Sequence, residues 1–178
     1  MLKPNLINNA KLENSFVYAT IHRQSNVDDK QKLRKIVEAF NEINKKVPII
    51  LPLHPRTEKR LKENDISFNF QTYKPVPYKE SLWLLMNCDT VVTDSGGLIR
   101  EAYFARKNTL LILENPVWPE IEEAGCSLST KNVNLNDILE GFSSCLQLNG
   151  DFSTQIFGDG SASENILKSI LQHNKGAS

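Results

Sequence analysis

Thr90-Val91-Val92, running into Thr93-Asp94-Ser95-Gly96-Gly97-Leu98-Ile99-Arg100-Glu101-Ala102, is the stretch that decides how this chain folds. The apolar run reads as a short buried parallel strand. Residues 98–106 are good helix formers with no Gly or Pro. Strand, Ser-Gly-Gly turn and helix, in that order, put backbone N–H groups and the positive end of a helix dipole at the carboxyl edge of a sheet. Such a place suits a phosphate. Gly96 and Gly97 let the backbone come close to an anion, and Ser95 adds a hydroxyl donor. Glu101, one turn into the helix, is placed to accept from a pair of sugar hydroxyls. The competing reading is an ordinary strand-to-helix turn in which Asp94 or Ser95 caps the helix.

The same alternation recurs on both sides of this stretch. Residues 15–20 are a strand that ends in the polar cluster Ile21-His22-Arg23-Gln24-Ser25-Asn26. Asp28 or Asp29 caps a helix with Leu33, Ile36, Val37, Phe40 and Ile43 on one face. Pro48-Ile49-Ile50-Leu51-Pro52-Leu53 is a second strand, followed by His54-Pro55-Arg56-Thr57 and a short charged helix. Ile66-Ser67-Phe68-Asn69-Phe70 alternates and predicts a third strand. After the loop 74–78, a helix over 80–87 carries Trp83 and Met86, which read as core. Thr109-Leu110-Leu111-Ile112-Leu113 has the uninterrupted apolar character of a strand covered on both faces. A loop through Pro116, Trp118 and Glu120, a short helix stopped by Gly125, a strand at 126–128 and a helix capped by Asn134 or Asn136 follow. Residues 1–14 read as a linker or frayed lead-in. The chain ends in a helix from Ser161, with Ile166, Leu167, Ile170 and Leu171 on one face.

Strand and helix alternate throughout, which predicts an α/β doubly wound parallel sheet over residues 15–160, with the helix 161–178 beyond it. In such sheets ligands bind outside the carboxyl ends of the strands. His22-Arg23, His54-Arg56, Ser95-Gly96-Gly97 and the Trp118-Glu120 loop all fall at such ends. That convergence points to an anionic, nucleotide-like ligand. There is no GxGxxG and no GxxxxGK[ST], which argues against a dinucleotide cofactor and a P-loop ATPase. Lys+Arg and Asp+Glu both number 21, so no basic footprint for nucleic acid exists. No apolar run spans a bilayer and the N-terminus has no signal-peptide core, which fits a cytoplasmic protein. Cys88, Cys126 and Cys145 form no CxxC pair, so no disulfide framework or zinc site is expected. No metal or organic cofactor is indicated.

Five blocks together resemble a known family. Thr20-Ile21-His22-Arg23-Gln24-Ser25-Asn26-Val27-Asp28 resembles THRxEN, and His54-Pro55-Arg56 resembles HPR. Thr93-Asp94-Ser95-Gly96-Gly97 with Glu101-Ala102 is similar to TDSGGxxxEA. Trp118-Pro119-Glu120 with Glu123-Ala124-Gly125 resembles (R/W)PE…EAG, and Phe157-Gly158-Asp159-Gly160-Ser161-Ala162 resembles YGDGxA. These are blocks of the non-hydrolysing UDP-N-acetylglucosamine 2-epimerases, which have two Rossmann-like domains in a GT-B-like arrangement around a UDP-sugar cleft. The resemblance covers the whole chain but only the C-terminal half of the family's chain.

The resemblance implies roles. Ser95, Gly96 and Gly97 bind the diphosphate and Glu101 holds the ribose. Arg23 lies near the diphosphate, where His22 assists departure of UDP. Residues 75–78, including Tyr78, line the uracil pocket. UDP is eliminated and re-added so that C2 inverts, with acid/base carboxylates from the N-terminal domain, absent here; this chain alone is therefore expected to be inactive. The final helix is expected to meet that missing domain, its apolar face exposed in part here or buried in a homodimer. Ser25 stands where Glu is usual, Ile99 where Gln is common and Ser81 where an aromatic is common. Pro116-Val117 replaces Thr-Glu, and Trp118 replaces an Arg found in many members but not in some that act on modified UDP-sugars.

Plainer roles compete at several positions. His54 either shapes a turn or touches ligand, Arg56 is a ligand contact or a surface ion pair, and Trp118 packs or stacks on ligand. Asp94 and Glu120 remain further candidates. A GT-B-type glycosyltransferase half, a non-catalytic UDP-sugar-binding module and a hydrolysing epimerase are the rival functions.

Overall fold

Phe16 and Tyr18 point to one side of the first strand while Val17 and Ala19 point to the other, and all four are buried. Both faces of the sheet must therefore be covered. The computed structural model describes residues 15–175 and shows how. Six strands, β1 (Val17–Thr20), β2 (Ile49–Pro52), β3 (Gln71–Tyr73), β4 (Thr90–Thr93), β5 (Thr109–Leu111) and β6 (Ser127–Ser129), pair in parallel in the order β3-β2-β1-β4-β5-β6. This is the doubly wound, Rossmann-like sheet that the alternation of elements predicts. β1 and β4 lie side by side over their full length, with Val17 opposite Thr90 and Thr20 opposite Thr93. Strand order reverses between them, so the loops leaving β1 and β4 turn to opposite faces and leave a crevice.

The helices are α1 (Gln24–Val27), α2 (Lys30–Asn44), α3 (Pro55–Glu63), α4 (Tyr78–Asn87), α5 (Gly96–Phe104), α6 (Pro119–Glu123), α7 (Leu135–Cys145) and α8 (Ala162–Lys175). One face of the sheet packs Val17, Ala19, Ile49, Leu51, Val92 and Leu110 against α2 and α7. The other packs Phe16, Tyr18, Ile50 and Val91 against Leu84 and Leu85 of α4 and Leu98 and Ala102 of α5. A third cluster joins Ile99 and Tyr103 to Leu111, Ile121 and Cys126, and extends to Phe152, Ile156 and Phe157 of the segment before α8. Asp29 caps α2 by accepting from the amides of Gln31 and Lys32, and Asn134 caps α7 through Asp137.

Three expectations need correction. The third strand lies at 71–73, not 66–70. Asp65 takes a left-handed turn (φ 51) after α3, and the amide and carbonyl of Asn69 bond to the side chains of Asn41 and Asn44. Backbone engaged in that way cannot join a ladder. The alternation instead reflects Phe70 packing on Phe40 while Phe68 stacks over it at the surface. Met86 is not core: it is 53% exposed, and α4 is anchored by Leu84 and Leu85. Helix α5 begins at Gly96, so both glycines belong to its first turn.

On α8, Ile166, Leu167, Ile170 and Leu171 are all more than half exposed, and none joins a core cluster. The expected linker at 1–14 and the last three residues lie outside the described part. No helix of the described residues is long and apolar enough to cross a membrane.

All three cysteines are buried and unpaired. Burial pushes the Cys88 and Cys145 thiols up to about 12 and the Cys126 thiol up to about 11. Only the thiolate reacts with electrophilic reagents. At pH 8 a thiol reagent will modify the native chain at a negligible rate, and urea will release three reactive thiols. Fast labelling of the native state would show that the core is looser than the packing described.

Candidate functional site

A carboxylate with no solvent contact must find donors close by. Asp94, directly after β4, is fully buried. Its oxygens accept from the main-chain N–H of His22 (3.1 Å to each oxygen), the N–H of Arg23 (2.9 Å) and Nδ2 of Asn26 (3.1 Å). Asn26 Nδ2 also donates to the carbonyl of Ile112 beyond β5 (3.0 Å). Nδ1 of His22 lies 3.6 Å from the Asp94 carboxylate, too far for a hydrogen bond. Asp94 thus sits at the start of α1 and ties the loop after β1 to the loop after β4. It is the connector of the site, not a wall of it.

The start of α5 is built equally tightly. Thr20 and Thr93, paired across the strands, share a hydroxyl bond of 2.6 Å, and Thr93 Oγ1 accepts from the amide of Ser95 (2.9 Å). Ser95 caps α5, its Oγ accepting from the amide of Leu98 (3.3 Å). The cap reading of Ser95 therefore holds, and its hydroxyl proton is left to point outward. The amides of Gly96 and Gly97, first in the helix, have no intrahelical partner. The two glycines are not alike. A Cβ on Gly96 would come within 3.0 Å of Val117 Cγ1 and 3.7 Å of an Arg23 guanidinium nitrogen, so its bareness lets the loop after β5 close on the helix. A Cβ on Gly97 would meet only Ser95 Oγ, at 3.8 Å, so this position is open.

Above these groups lies a cleft of about 470 Å³ bounded by the ends of β1, β2, β3 and β4. Its lining includes His22, His54, Ser95, Gly97, Glu101 and Tyr78, together with Pro75 and Val76 of the predicted base-lining loop. His22 and His54 approach to 5.8 Å between ring centres. His54 takes the turn-shaping role and also faces the cleft. It caps α3, with Nδ1 accepting from the amide of Arg56 (3.2 Å), and it lines the cleft. Tyr78, 64% exposed, stands at the rim.

Four candidates are not among the residues that line this cleft. Arg56 pairs with Asp28 (3.5 Å), which Arg60 also holds (2.9 Å). That surface arrangement contributes little, about 0–1 kcal/mol. Glu120 is exposed in the first turn of α6, away from the cleft lining. Trp118 is a packing residue: its indole N–H donates to the Gly96 carbonyl (2.9 Å), Arg100 lies 4.9 Å over its ring, and Phe157 meets it edge-on. Arg23 lines a second hollow with Ser25, Lys32 and Asn115, and its guanidinium stands 3.7 Å from where a Cβ on Gly96 would sit. Sequence reasoning missed Asn26, Thr20 and Tyr18 as structural parts of the site. Asn26 carried a signal, a polar side chain in the cluster that ends the first strand; Thr20 and Tyr18 read only as strand formers. Among the described residues no group of three or more His, Cys, Asp or Glu could hold a metal.

The sequence profile described as UDP-N-acetylglucosamine 2-epimerase matches residues 2–171. The UDP-2,3-diacetamido-2,3-dideoxy-D-glucuronate 2-epimerase of Pseudomonas aeruginosa is 34% identical over 90% of this chain and 45% of its own length. The UDP-N-acetylglucosamine 2-epimerase of Methanocaldococcus jannaschii is 31% identical over 94% of this chain and 47% of its own. The crystal structure of that organism's enzyme in complex with UDP-GlcNAc and UDP superposes with a TM-score of 0.78, at 30% identity, over 89% of this chain and 46% of that one. The chain spans about half the length of the curated relatives it matches.

Replacing Asp94 by Ala leaves buried N–H groups without an acceptor and unties the two loops. Each hydrogen bond to a charged group is worth roughly 1.5–3 kcal/mol. Asp94→Ala will lower stability in urea titration by about 3 kcal/mol or more, whereas Arg56→Ala will change it by less than about 1 kcal/mol. Equal effects would show that Asp94 does not organise the crevice.

Proposed function

The chain belongs to the UDP-N-acetylglucosamine 2-epimerase family, and on that premise we propose that its cleft binds the UDP moiety of a UDP-2-acetamido sugar. One observation carries the reading: the open first turn of α5 at Gly97 stands beside His22, with Glu101 one turn along the same wall. A diphosphate takes the free amides of Gly96 and Gly97, where the helix dipole favours negative charge. Glu101 accepts from the ribose hydroxyls. The base lies toward Pro75, Val76 and Tyr78. The two relatives differ in the sugar they name but share UDP, which fits a half that holds the nucleotide.

His22 is the residue of this chain closest to the chemistry. Asp94 fixes its backbone, and the carboxylate stands 3.6 Å from Nδ1 of the ring. A donor at this place stabilises charge that develops on the departing diphosphate. Epimerisation by elimination of UDP and re-addition also needs acid/base groups at the sugar C2. In this reading those carboxylates come from an N-terminal half of the kind the longer relatives possess, and the chain by itself does not turn over substrate. The exposed stripe of α8 is the surface we assign to that half. Deleting residues 162–178 should leave UDP binding within about twofold of the full chain and abolish association with an N-terminal half supplied in trans. Loss of UDP binding instead would place α8 in the nucleotide site.

Calorimetric titration of the chain with UDP tests the main reading. Wild type should bind, Glu101→Ala should bind about tenfold or more weakly, and His22→Ala should bind UDP nearly as well as wild type if its work is confined to leaving-group departure. Gly97→Ala fits without a clash and should raise stability by up to about 1 kcal/mol, yet weaken UDP binding because its methyl group occupies the anion's approach. Unchanged affinity in both Glu101→Ala and Gly97→Ala would remove the nucleotide from this edge of the sheet.

A further inference from the structure

Tyr18 is a polar residue in the middle of the central strand, and neither it nor Ser81 has a part in the reading above. Its ring is 2% exposed and packs among Leu84, Leu85, Leu98 and Ala102, between α4 and α5. Its hydroxyl reaches 2.7 Å from Ser81 Oγ in the first turns of α4. Tyr18, Ser81 and Glu101 line the same cleft. Two hydroxyls joined by one hydrogen bond hold two protons and use one. Neither hydroxyl has another hydrogen-bond partner among the described residues.

The chemistry of Glu101 shows what the second proton is for. A carboxylate only accepts, so it engages the O–H donors of the ribose hydroxyls and leaves their oxygens without a donor. A desolvated oxygen left unpaired weakens binding. The Tyr18–Ser81 pair supplies a donor on the same floor. We infer that this pair completes the ribose subsite, giving a hydrogen bond to a ribose hydroxyl oxygen while Glu101 accepts the hydrogen bond which that hydroxyl donates, and that together they distinguish ribose from deoxyribose. The inference rests on the nucleotide reading above. Burial raises the Tyr18 phenol's pKa foremost, the Ser81 bond opposes this, and Cys88 and Glu101, where ionised, raise it further, so the phenol stays protonated at neutral pH. Its ring is fixed by packing, so the donor is held in place before ligand arrives.

The test is titration of the full chain with UDP and with 2′-deoxy-UDP, for wild type, Tyr18→Phe, Ser81→Ala, Ser81→Thr and Glu101→Ala. Tyr18→Phe and Ser81→Ala should each weaken UDP by about fivefold and 2′-deoxy-UDP by less, so that the preference for UDP falls about threefold or more. Ser81→Thr keeps the hydroxyl and should keep the preference. A purely structural role for the pair would weaken both ligands equally, and that result overturns the inference. If Glu101→Ala weakens UDP while Tyr18→Phe and Ser81→Ala leave the preference unchanged, the inference falls and the nucleotide reading stands. If wild type binds neither ligand, both fall. Should Tyr18→Phe fail to fold, Ser81→Ala, at a half-buried helix position, decides the matter.

Discussion

One buried carboxylate holds the working edge of this domain together. Asp94 is far from His22, Arg23 and Asn26 in sequence, and it binds all three across the β1–β4 boundary. A charge in that position is tolerable only because its oxygens are met by several N–H donors at the head of a helical turn. Because Asn26 also holds the backbone beyond β5, three strand ends share one polar junction. The junction explains how two loops that leave the sheet toward opposite faces are still kept in register with each other.

Around that junction the fold divides its labour by face and by strand. The α2/α7 side is apolar and supports the sheet. The α4/α5 side carries the cleft, and its floor is more polar than a structural layer needs, because Thr20, Thr93, Tyr18 and Ser81 pair their hydroxyls there. The loop after β5 reaches the same region from outside. Val117 seats against Gly96, and Trp118 hydrogen-bonds the Gly96 carbonyl while its ring carries Arg100. A loop that contributes no residue to the cleft lining can thus still set the position of the first turn of α5.

The parallel sheet was legible because its signals are periodic and local: apolar runs closed by Pro, Gly or capping residues, with helical stripes between them. Ser95-Gly96-Gly97 and Glu101 were legible for the same reason, as strand, turn and helix are contiguous. What failed was whatever depended on partners distant in sequence. Ile66 to Phe70 has the pattern of a strand, but two asparagines of α2 claim the backbone of Asn69. That Trp118 would bond the Gly96 carbonyl and Arg56 would pair with Asp28 was likewise not legible in the chain. The role of Asp94 is invisible in the chain because its three donors lie on the other side of a crossover. Tyr18 looks like any strand aromatic until Ser81 is set beside it.

The stripe of Ile166, Leu167, Ile170 and Leu171 carries a consequence of a different kind. Four aliphatic side chains in a row on a water-exposed helix are what molecular chaperones bind and what quality-control proteases survey. An uncovered stripe shortens a polypeptide's lifetime in the cell even when its core is sound. A sound sheet and a surface that quality control recognises are thus independent properties of the same domain.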